Sequence, residues 1–230
     1  MLLTLPIREV LAATPRARIA RLALDGRRFD YAPGQAAALA SQGQETRIPY
    51  SIAASPEDSR RDGTLEFLIG VNAEGVAGSH LTLETGQPVD VEGPLGAFTF
   101  PASPEERRFV FVAGGTGIAP LRAMLRHAIM APHSTVGLLY SARTPDEFAY
   151  GQELTELAKA GRIELRQTIT RAGDERWNGS RGRFTREALA ELIHDPATLC
   201  FVCGPPSLVD EMTTALADLG VDAARIRAES

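Results

Sequence analysis

The sequence predicts two folds in succession: an antiparallel β-barrel or sandwich, then a doubly wound parallel α/β domain. Three observations predict it. Over the first hundred residues short strand-like runs alternate with turns rich in Gly, Pro, Asp and Ser, and no long helical period appears. From Phe109 onward strand-like and helix-like patterns alternate, which is how a parallel sheet with crossover helices reads. Between the two, Pro101-Ala-Ser-Pro-Glu-Glu-Arg-Arg108 is polar and holds two prolines, which places a boundary between domains at 1–103 and 104–230.

In the first region the predicted strands are 2–10, 18–24, 35–39, 50–54, 65–71 and 88–92. Three pieces stand out among the separators. Tyr31-Ala-Pro-Gly-Gln35 is a turn feeding a strand, Arg47-Ile-Pro-Tyr-Ser-Ile52 sets an aromatic beside a hydroxyl, and Gly93-Pro-Leu-Gly-Ala-Phe98 is a glycine-proline corner.

In the second region the predicted strands are 109–113, 135–140, 162–169, 198–203 and a short one near 224–228. The helices between them are 118–130, 145–160, 185–193 and 207–219. Thr144-Pro-Asp-Glu147 has the form of a capping box with proline at the first helical position. Gly161 and Gly220 stand where helix ends favour a left-handed residue. Leu208, Val209, Met212, Ala215, Leu216 and Leu219 form one apolar stripe at helical spacing, which is core. Trp177 falls in a predicted hairpin, 171–183.

The chemistry concentrates in Phe109-Val-Phe-Val-Ala-Gly-Gly-Thr-Gly-Ile-Ala-Pro120. A buried strand runs into three glycines and a threonine, and Pro120 opens a helix. Gly114, Gly115, Thr116, Gly117 and Ile118 would then bring backbone N–H groups to a phosphate at a helix N-terminus. Proline replaces the third glycine of the dinucleotide fingerprint, and no Gly-Lys-Ser/Thr is present, so the stretch is not a triphosphate loop.

Ligands of such sheets bind beyond the strand ends, which directs attention to Ser141, Arg143, Thr170, Arg171 and the segment from Cys203. The second strand ends in Ser141-Ala-Arg143, with the first acid only at Asp146, a pattern that favours a 2′-phosphate over a bare ribose.

Composition excludes other classes. Net charge is −5, which argues against nucleic acid, and no apolar run approaches the length of a membrane span. The start is interrupted by Pro6 and Arg8, too early for a secretory signal, so a cytoplasmic protein is expected. Two cysteines, Cys200 and Cys203, supply neither a disulfide framework nor an iron–sulfur cluster, and no metal site is expected. Three apart in a strand, they face opposite sides and do not pair.

Pro33-Gly34-Gln35, Tyr50-Ser51, Gly93-Pro94 with Gly96 and Phe98, and the 114–120 loop occur in an order that resembles the ferredoxin–NADP reductase superfamily. The resemblance implies a Greek-key β-barrel that binds FAD (or FMN) and an α/β domain that binds NADPH or NADH. It places Tyr50 against the flavin ring and Ser51 near its N5, with Pro49, Ile52 and Val71 in the same region. Gly78 and Ser79 in Gly75-Val-Ala-Gly-Ser-His-Leu81 would offer N–H groups to the flavin phosphates.

The family's arginine stands two residues before the tyrosine. Here that residue is Ile48, and Arg47, one step earlier, is the candidate phosphate ligand on the other face of an ideal strand. Thr170-Arg171 matches a Ser-Arg pair of NADP-dependent members. Cys203-Gly204-Pro205 matches the Cys-Gly-Pro signature beside the nicotinamide, and Glu229 matches a glutamate near the flavin whose usual following aromatic is missing here.

By resemblance, then, the chain is an NAD(P)H oxidoreductase that passes hydride to flavin and single electrons onward, with Ser51, Cys203 and Glu229 as its catalytic candidates. The expected partner is a small electron carrier (ferredoxin, flavodoxin or an oxygenase component), and the chain is expected to be a monomer. The alternatives are a free-flavin or ferric reductase, or a non-catalytic electron-transfer subunit. Arg16, Arg18, Arg21, Arg27 and Arg28 are the candidate basic docking face.

Overall fold

The structure is a computed structural model that describes residues 1–171 and 177–230, so part of the predicted 171–183 hairpin lies outside the described residues. Contacts divide the chain into two units. One comprises Met1–Ala102 with Arg122–His127, and the other comprises Ser103–Leu121 with Ala128–Ser230.

The first unit holds strands β1 (Leu2–Thr14), β2 (Ala17–Ala23), β3 (Ala36–Ser41), β4 (Ile48–Ser51), β5 (Thr64–Gly70) and β6 (Pro88–Leu95), with helix α1 (Pro56–Asp62). They form one antiparallel sheet in the order β4-β3-β6-β1-β2-β5. Its two edges meet in an Ile52–Phe67 bridge, and Ala53 N–H donates to the Glu66 carbonyl at 2.8 Å. The sheet therefore closes into a barrel, which leaves no edge exposed along that seam.

Alternation explains the core. Leu65, Phe67 and Ile69 of β5 point inward with Leu5, Ile7, Leu22, Leu39, Val89 and Val91. Fully burying a side chain such as Phe67 contributes about 2–3 kcal/mol.

Helix α1 is not among the predicted elements, and its 7 residues are too few to give the long helical period whose absence the sequence shows. Its signals are local and polar: the Ser55 hydroxyl accepts from Asp58 N–H at 3.1 Å, Pro56 starts the helix, and Gly63 ends it in the left-handed region. Asp58 is then bound by Arg126 through both carboxylate oxygens. On the outer face of β5, buried Glu66 joins Arg21 at 2.7 Å and Arg122 at 2.8 Å, and Arg122 also donates to the Ala53 carbonyl at 2.7 Å. A carboxylate so buried is retained because both its oxygens are bonded.

The second unit alternates as predicted. Strands β7 (Arg108–Gly114), β8 (Thr135–Ala142), β9 (Glu164–Ile169), β10 (Ser180–Arg181), β11 (Leu199–Cys203) and β12 (Ile226–Glu229) form one parallel sheet, ordered β10-β9-β8-β7-β11-β12. The helices are α2 (Ile118–Ala128), α3 (Gly151–Lys159), α4 (Arg186–Ala190) and α5 (Pro206–Asp218). Gly161 and Gly220 end α3 and α5 at φ +66° and +85°.

One expectation fails here. The Thr144 capping box opens only a 3-10 turn, Pro145–Glu147, with no side-chain cap, and α3 begins after Tyr150 at φ +59°. Ser180–Arg181 pairs parallel to β9, and residues 172–176 of the predicted 171–183 hairpin lie outside the described residues. Trp177 stacks on Phe148 at 5.4 Å and donates its indole N–H to the Ser180 carbonyl at 2.8 Å, so it anchors that edge.

Candidate functional site

The strand order of the parallel sheet reverses at β7: β8, β9 and β10 lie on one side of it, β11 and β12 on the other. Connections leaving the C-terminal ends of β7 and β11 therefore diverge, and that is where an open α/β sheet takes its ligand. The glycine turn stands at this point. Gly115–Gly117 form a 3-10 turn between β7 and α2, with no acidic side chain in the first turn of either. The leading N–H groups of a helix lack intrahelical acceptors, so this terminus suits an anion.

Contact explains the glycines. A Cβ on Gly117 would stand 2.4 Å from the Cys203 carbonyl oxygen and 2.8 Å from Gly204 N. Gly204 also faces Gly114 closely, since a Cβ on it would lie 3.0 Å from Gly114 backbone. At Gly115, where φ is +55°, a Cβ would meet nothing within 4 Å, which leaves a cradle open beside the helix terminus. Ile118 and Pro120 are buried beneath this turn and Thr116 is exposed on it. The structure thus brings Gly114, Gly115, Thr116 and Gly117 together with Cys203, Gly204 and Pro205.

Tyr140 is a supporting residue that sequence reasoning missed. Wholly buried in β8, it donates its hydroxyl to the Gly115 carbonyl at 3.2 Å and accepts the Ala149 N–H at 3.1 Å. Burial raises its pKa, so it acts only as a neutral hydroxyl. Its one signal in the sequence is a polar aromatic within the otherwise apolar run Val136-Gly-Leu-Leu-Tyr140.

Near the end of β8, Ser141 lies in register with Gly114 and is buried, while Arg143, just beyond the strand, is exposed. Thr170 N–H bonds the Ala142 carbonyl and Arg171 N–H bonds the Arg143 carbonyl, both at 2.9 Å. The ladder between β8 and β9 thus continues past their ends and holds Arg143 and Arg171 on adjacent, exposed strand tips.

Cys203 pairs in register with Glu229 of β12. Burial, aided by the Glu229 charge, pushes the Cys203 thiol up to about 12, and burial does the same to Cys200. Both cysteines are free, as their strand spacing requires. Glu229 is exposed as a residue, yet neighbouring protein desolvates its carboxyl and raises its pKa.

The other group of candidates lies in the barrel unit. Along β4, Ile48 and Pro49 are exposed and Tyr50 and Ser51 half-buried. The Tyr50 hydroxyl lies 2.9 Å from His80 Nε2, with the two rings stacked 6.0 Å apart at 15°. Ile52 is wholly buried and its N–H bonds the Gln35 carbonyl; Val71 is buried and bonds the Arg16 carbonyl. Their side chains serve the packing around the site and do not form an open face.

Gly78 and Ser79 are exposed. Gly78 adopts φ +111°, and a Cβ there would stand 3.1 Å from His80 Nδ1. Arg47 precedes β4 and lies 3.8 Å from Asp90 and 3.6 Å from Glu92, while its buried Nε has no hydrogen-bond partner. That donor suits a phosphate oxygen, although a phosphate there would also meet the charge of the two acids. A half-exposed aromatic, exposed Gly78–Ser79 backbone and an unspent guanidinium N–H fit the ring and phosphates of a flavin nucleotide. His80 went unassigned in the sequence because nothing there links it to Tyr50.

The arginines considered as a docking face are engaged locally. Arg21 bridges Glu9 and Glu66 at 2.7 Å each, Arg27 lies 4.0 Å from Asp25, and Arg28 lies 3.2 Å from Asp30. Arg18 donates to the Thr14 and Ala17 carbonyls. No group of His, Cys, Asp and Glu among the described residues could hold a metal, and no helix there is long and apolar enough to cross a membrane.

Comparison with known proteins agrees with this division. Residues 5–100 match the oxidoreductase FAD-binding domain family and residues 111–214 the oxidoreductase NAD-binding domain family. Ferredoxin–NADP reductase B of Sorangium cellulosum is 36% identical over 223 residues, which span 89% of this chain and 87% of that protein. The anthranilate 1,2-dioxygenase electron transfer component of Acinetobacter baylyi is 28% identical over 206 residues, 88% of this chain but only 59% of that one. In fold, a ferredoxin NADP⁺ reductase from Neisseria gonorrhoeae solved with FAD and NADP superposes with a TM-score of 0.81 at 20% identity, covering 99% of this chain and 98% of that one.

Proposed function

The chain belongs to the ferredoxin–NADP reductase superfamily, and from that membership we propose how its residues divide the work of a flavin-dependent NAD(P)H oxidoreductase. FAD, when bound, would accept a single hydride and pass its electron pair on one electron at a time, chemistry no side chain here supplies. Tyr50 offers the ring platform, and the Ser51 hydroxyl supplies a hydrogen bond at the edge where the hydride arrives. Gly78, Ser79 and the Arg47 Nε hold the flavin phosphates.

The N–H groups of Gly115, Thr116 and Gly117 hold the diphosphate of the dinucleotide, while that of Ile118 closes the turn on the Gly115 and Thr116 carbonyls. Ser141, Arg143, Thr170 and Arg171 hold its adenosine end, and the two arginines select NADPH. Cys203, Gly204 and Pro205 wall the nicotinamide. With its pKa pushed up to about 12, Cys203 is a neutral thiol and serves by shape and as a weak S–H donor. Glu229, beside it in register, tunes the charge of that wall. No strong general acid is required, because alignment of donor and acceptor supplies the rate.

The observation that carries this reading is the abutment of Gly117 on Cys203 and Gly204 at the point where the strand order reverses. The relatives support a ferredoxin-like carrier or an oxygenase as acceptor. Steady-state turnover tests both parts. Arg171→Ala is expected to raise KM for NADPH about 10- to 100-fold, as loss of a charged hydrogen bond does, and to leave KM for NADH unchanged. Equal effects on both would remove Arg171 from cofactor choice. Ferredoxin reduction that slows with added salt, while ferricyanide reduction does not, would mark a docked protein acceptor. Salt-independent reduction of both would favour a small diffusible one.

A further inference from the structure

On the assignment of the flavin to Tyr50 and the Gly78–Ser79 backbone, we propose that His80 is a positioning residue. It fixes the ring platform and the phosphate-binding segment as one rigid surface. The two parts lie far apart in sequence, on β4 and in the connection from β5 to β6. One side chain joins them: the Tyr50 hydroxyl and His80 Nε2 are 2.9 Å apart, with the rings stacked.

His80 is itself held. Only 9% of it is exposed, Leu81 after it lies in the barrel core, and its carbonyl accepts the Ser41 N–H at 2.8 Å. Thr82 N–H completes the anchor at the Ser41 hydroxyl, 2.9 Å away. The segment is also shaped to the imidazole, because any side chain at 78 would crowd Nδ1 at 3.1 Å in a backbone conformation that favours glycine. A buried His with one nitrogen on a tyrosine hydroxyl and the other facing a glycine fits a strut better than an acid or base. The Tyr50 ring cannot swing about its Cα–Cβ bond without breaking that contact, and Gly78–Ser79 cannot shift without moving the imidazole.

The test is a double-mutant cycle on FAD affinity, measured by quenching of flavin fluorescence on titration into the apoprotein. Tyr50→Phe, His80→Phe and the double variant are compared, with melting of each apoprotein recorded alongside. Each single change is expected to weaken FAD about five- to tenfold, the worth of one hydrogen bond, and the double to bind no more weakly than the worse single. His80→Gln, which can still reach the hydroxyl, is expected to recover most of the affinity and the visible circular dichroism of the bound flavin.

Losses that multiply in the double variant, or His80→Phe binding FAD like the wild type, would overturn the inference while leaving the flavin assignment intact. If His80→Phe does not fold, the cycle is closed with Tyr50→Phe in the wild-type and His80→Ala backgrounds, since alanine cannot reach the hydroxyl, and equal losses in the two backgrounds would overturn it as well. A wild-type chain that takes up no FAD would overturn the flavin assignment itself and this inference with it.

Discussion

Replacing Gly117 with alanine isolates the contact on which the nucleotide turn depends. Its backbone lies outside the left-handed region, so the cost is steric. The new Cβ would fall 2.4 Å from the Cys203 carbonyl oxygen, 2.6 Å from its carbon and 2.8 Å from Gly204 N. All three are backbone atoms and none can swing aside. Reaching the 3.0 Å at which real contacts begin requires the turn and the end of β11 to part by about 0.6 Å. Forcing a packed site in this way costs about 2–3 kcal/mol. For a chain of this size that is a fall in Tm of about 5–10 °C.

Gly115→Ala is the control. It meets nothing within 4 Å but must hold φ +55°, a penalty of about 1 kcal/mol, or roughly 2–4 °C. Thermal melts of both variants, with NADPH kinetics on each, decide the matter. Gly117→Ala should also raise KM for NADPH at least about tenfold, since displaced N–H groups no longer meet their ligand. FAD content should not change, because Gly117 lies outside the barrel unit. A Gly117→Ala protein that melts within 2 °C of wild type (about the size of the control's loss), or no lower than the control, would refute the reasoning.

Other outcomes follow from the same geometry. Burial alone would raise the Asp58 pKa, but Arg126, the Ser55 hydroxyl and Arg61 outweigh it and hold the carboxyl at about 2, against an ordinary 3.8. The folded value is depressed, so its stability contribution is complete above the ordinary pKa and is lost as pH falls from about 4 to about 2. After allowance for solvent screening this amounts to about 1–2 kcal/mol, and denaturant midpoints for Asp58→Asn should fall less over that window than those of wild type. Both thiols are pushed up to about 12, so iodoacetamide at pH 8 (a moderately alkaline condition, roughly 4 units below them) should leave Cys200 and Cys203 unmodified until the chain is unfolded. Modification of the native protein would contradict their burial. Ser51→Ala should keep FAD and slow its reduction about tenfold or more in stopped flow, and an unchanged rate would take Ser51 out of the mechanism.

What could be read from the sequence was whatever rests on local pattern. The period-2 runs that became β1 to β6, the glycine turn, and the apolar stripe of α5 each carry their structure within a dozen residues. Helix α1 escaped because it is short and polar. Its Ser55 cap is local, but the ties that also stabilise it, Arg126 on Asp58 and His127 on Glu57, come from about 70 positions away. Thr144-Pro-Asp-Glu147 had the residues of a cap, yet Tyr150 in the left-handed region breaks the chain before a helix can continue from it. The pairing of edge strand β10 with β9 was not legible either, because no local turn signal reveals a partner strand that runs in the same direction.

At the site the same rule holds. Tyr50, Ser51 and the glycines were visible as motifs, whereas His80 and Tyr140 act through partners 30 and 25 residues away. The Asp90 and Glu92 carboxylates that share Arg47 come from a strand that pairs with β3, not β4, and only the sheet order brings them there.

The central claim is that one chain binds a flavin and reduces it with a nicotinamide nucleotide. The most direct test is the absorbance spectrum of the purified protein, saturated with FAD and then mixed anaerobically with NADPH and, separately, NADH. The account predicts flavin bands that bleach with both donors, faster with NADPH. No flavin bands after added FAD, or bands that stay oxidised under an excess of either donor, would contradict it.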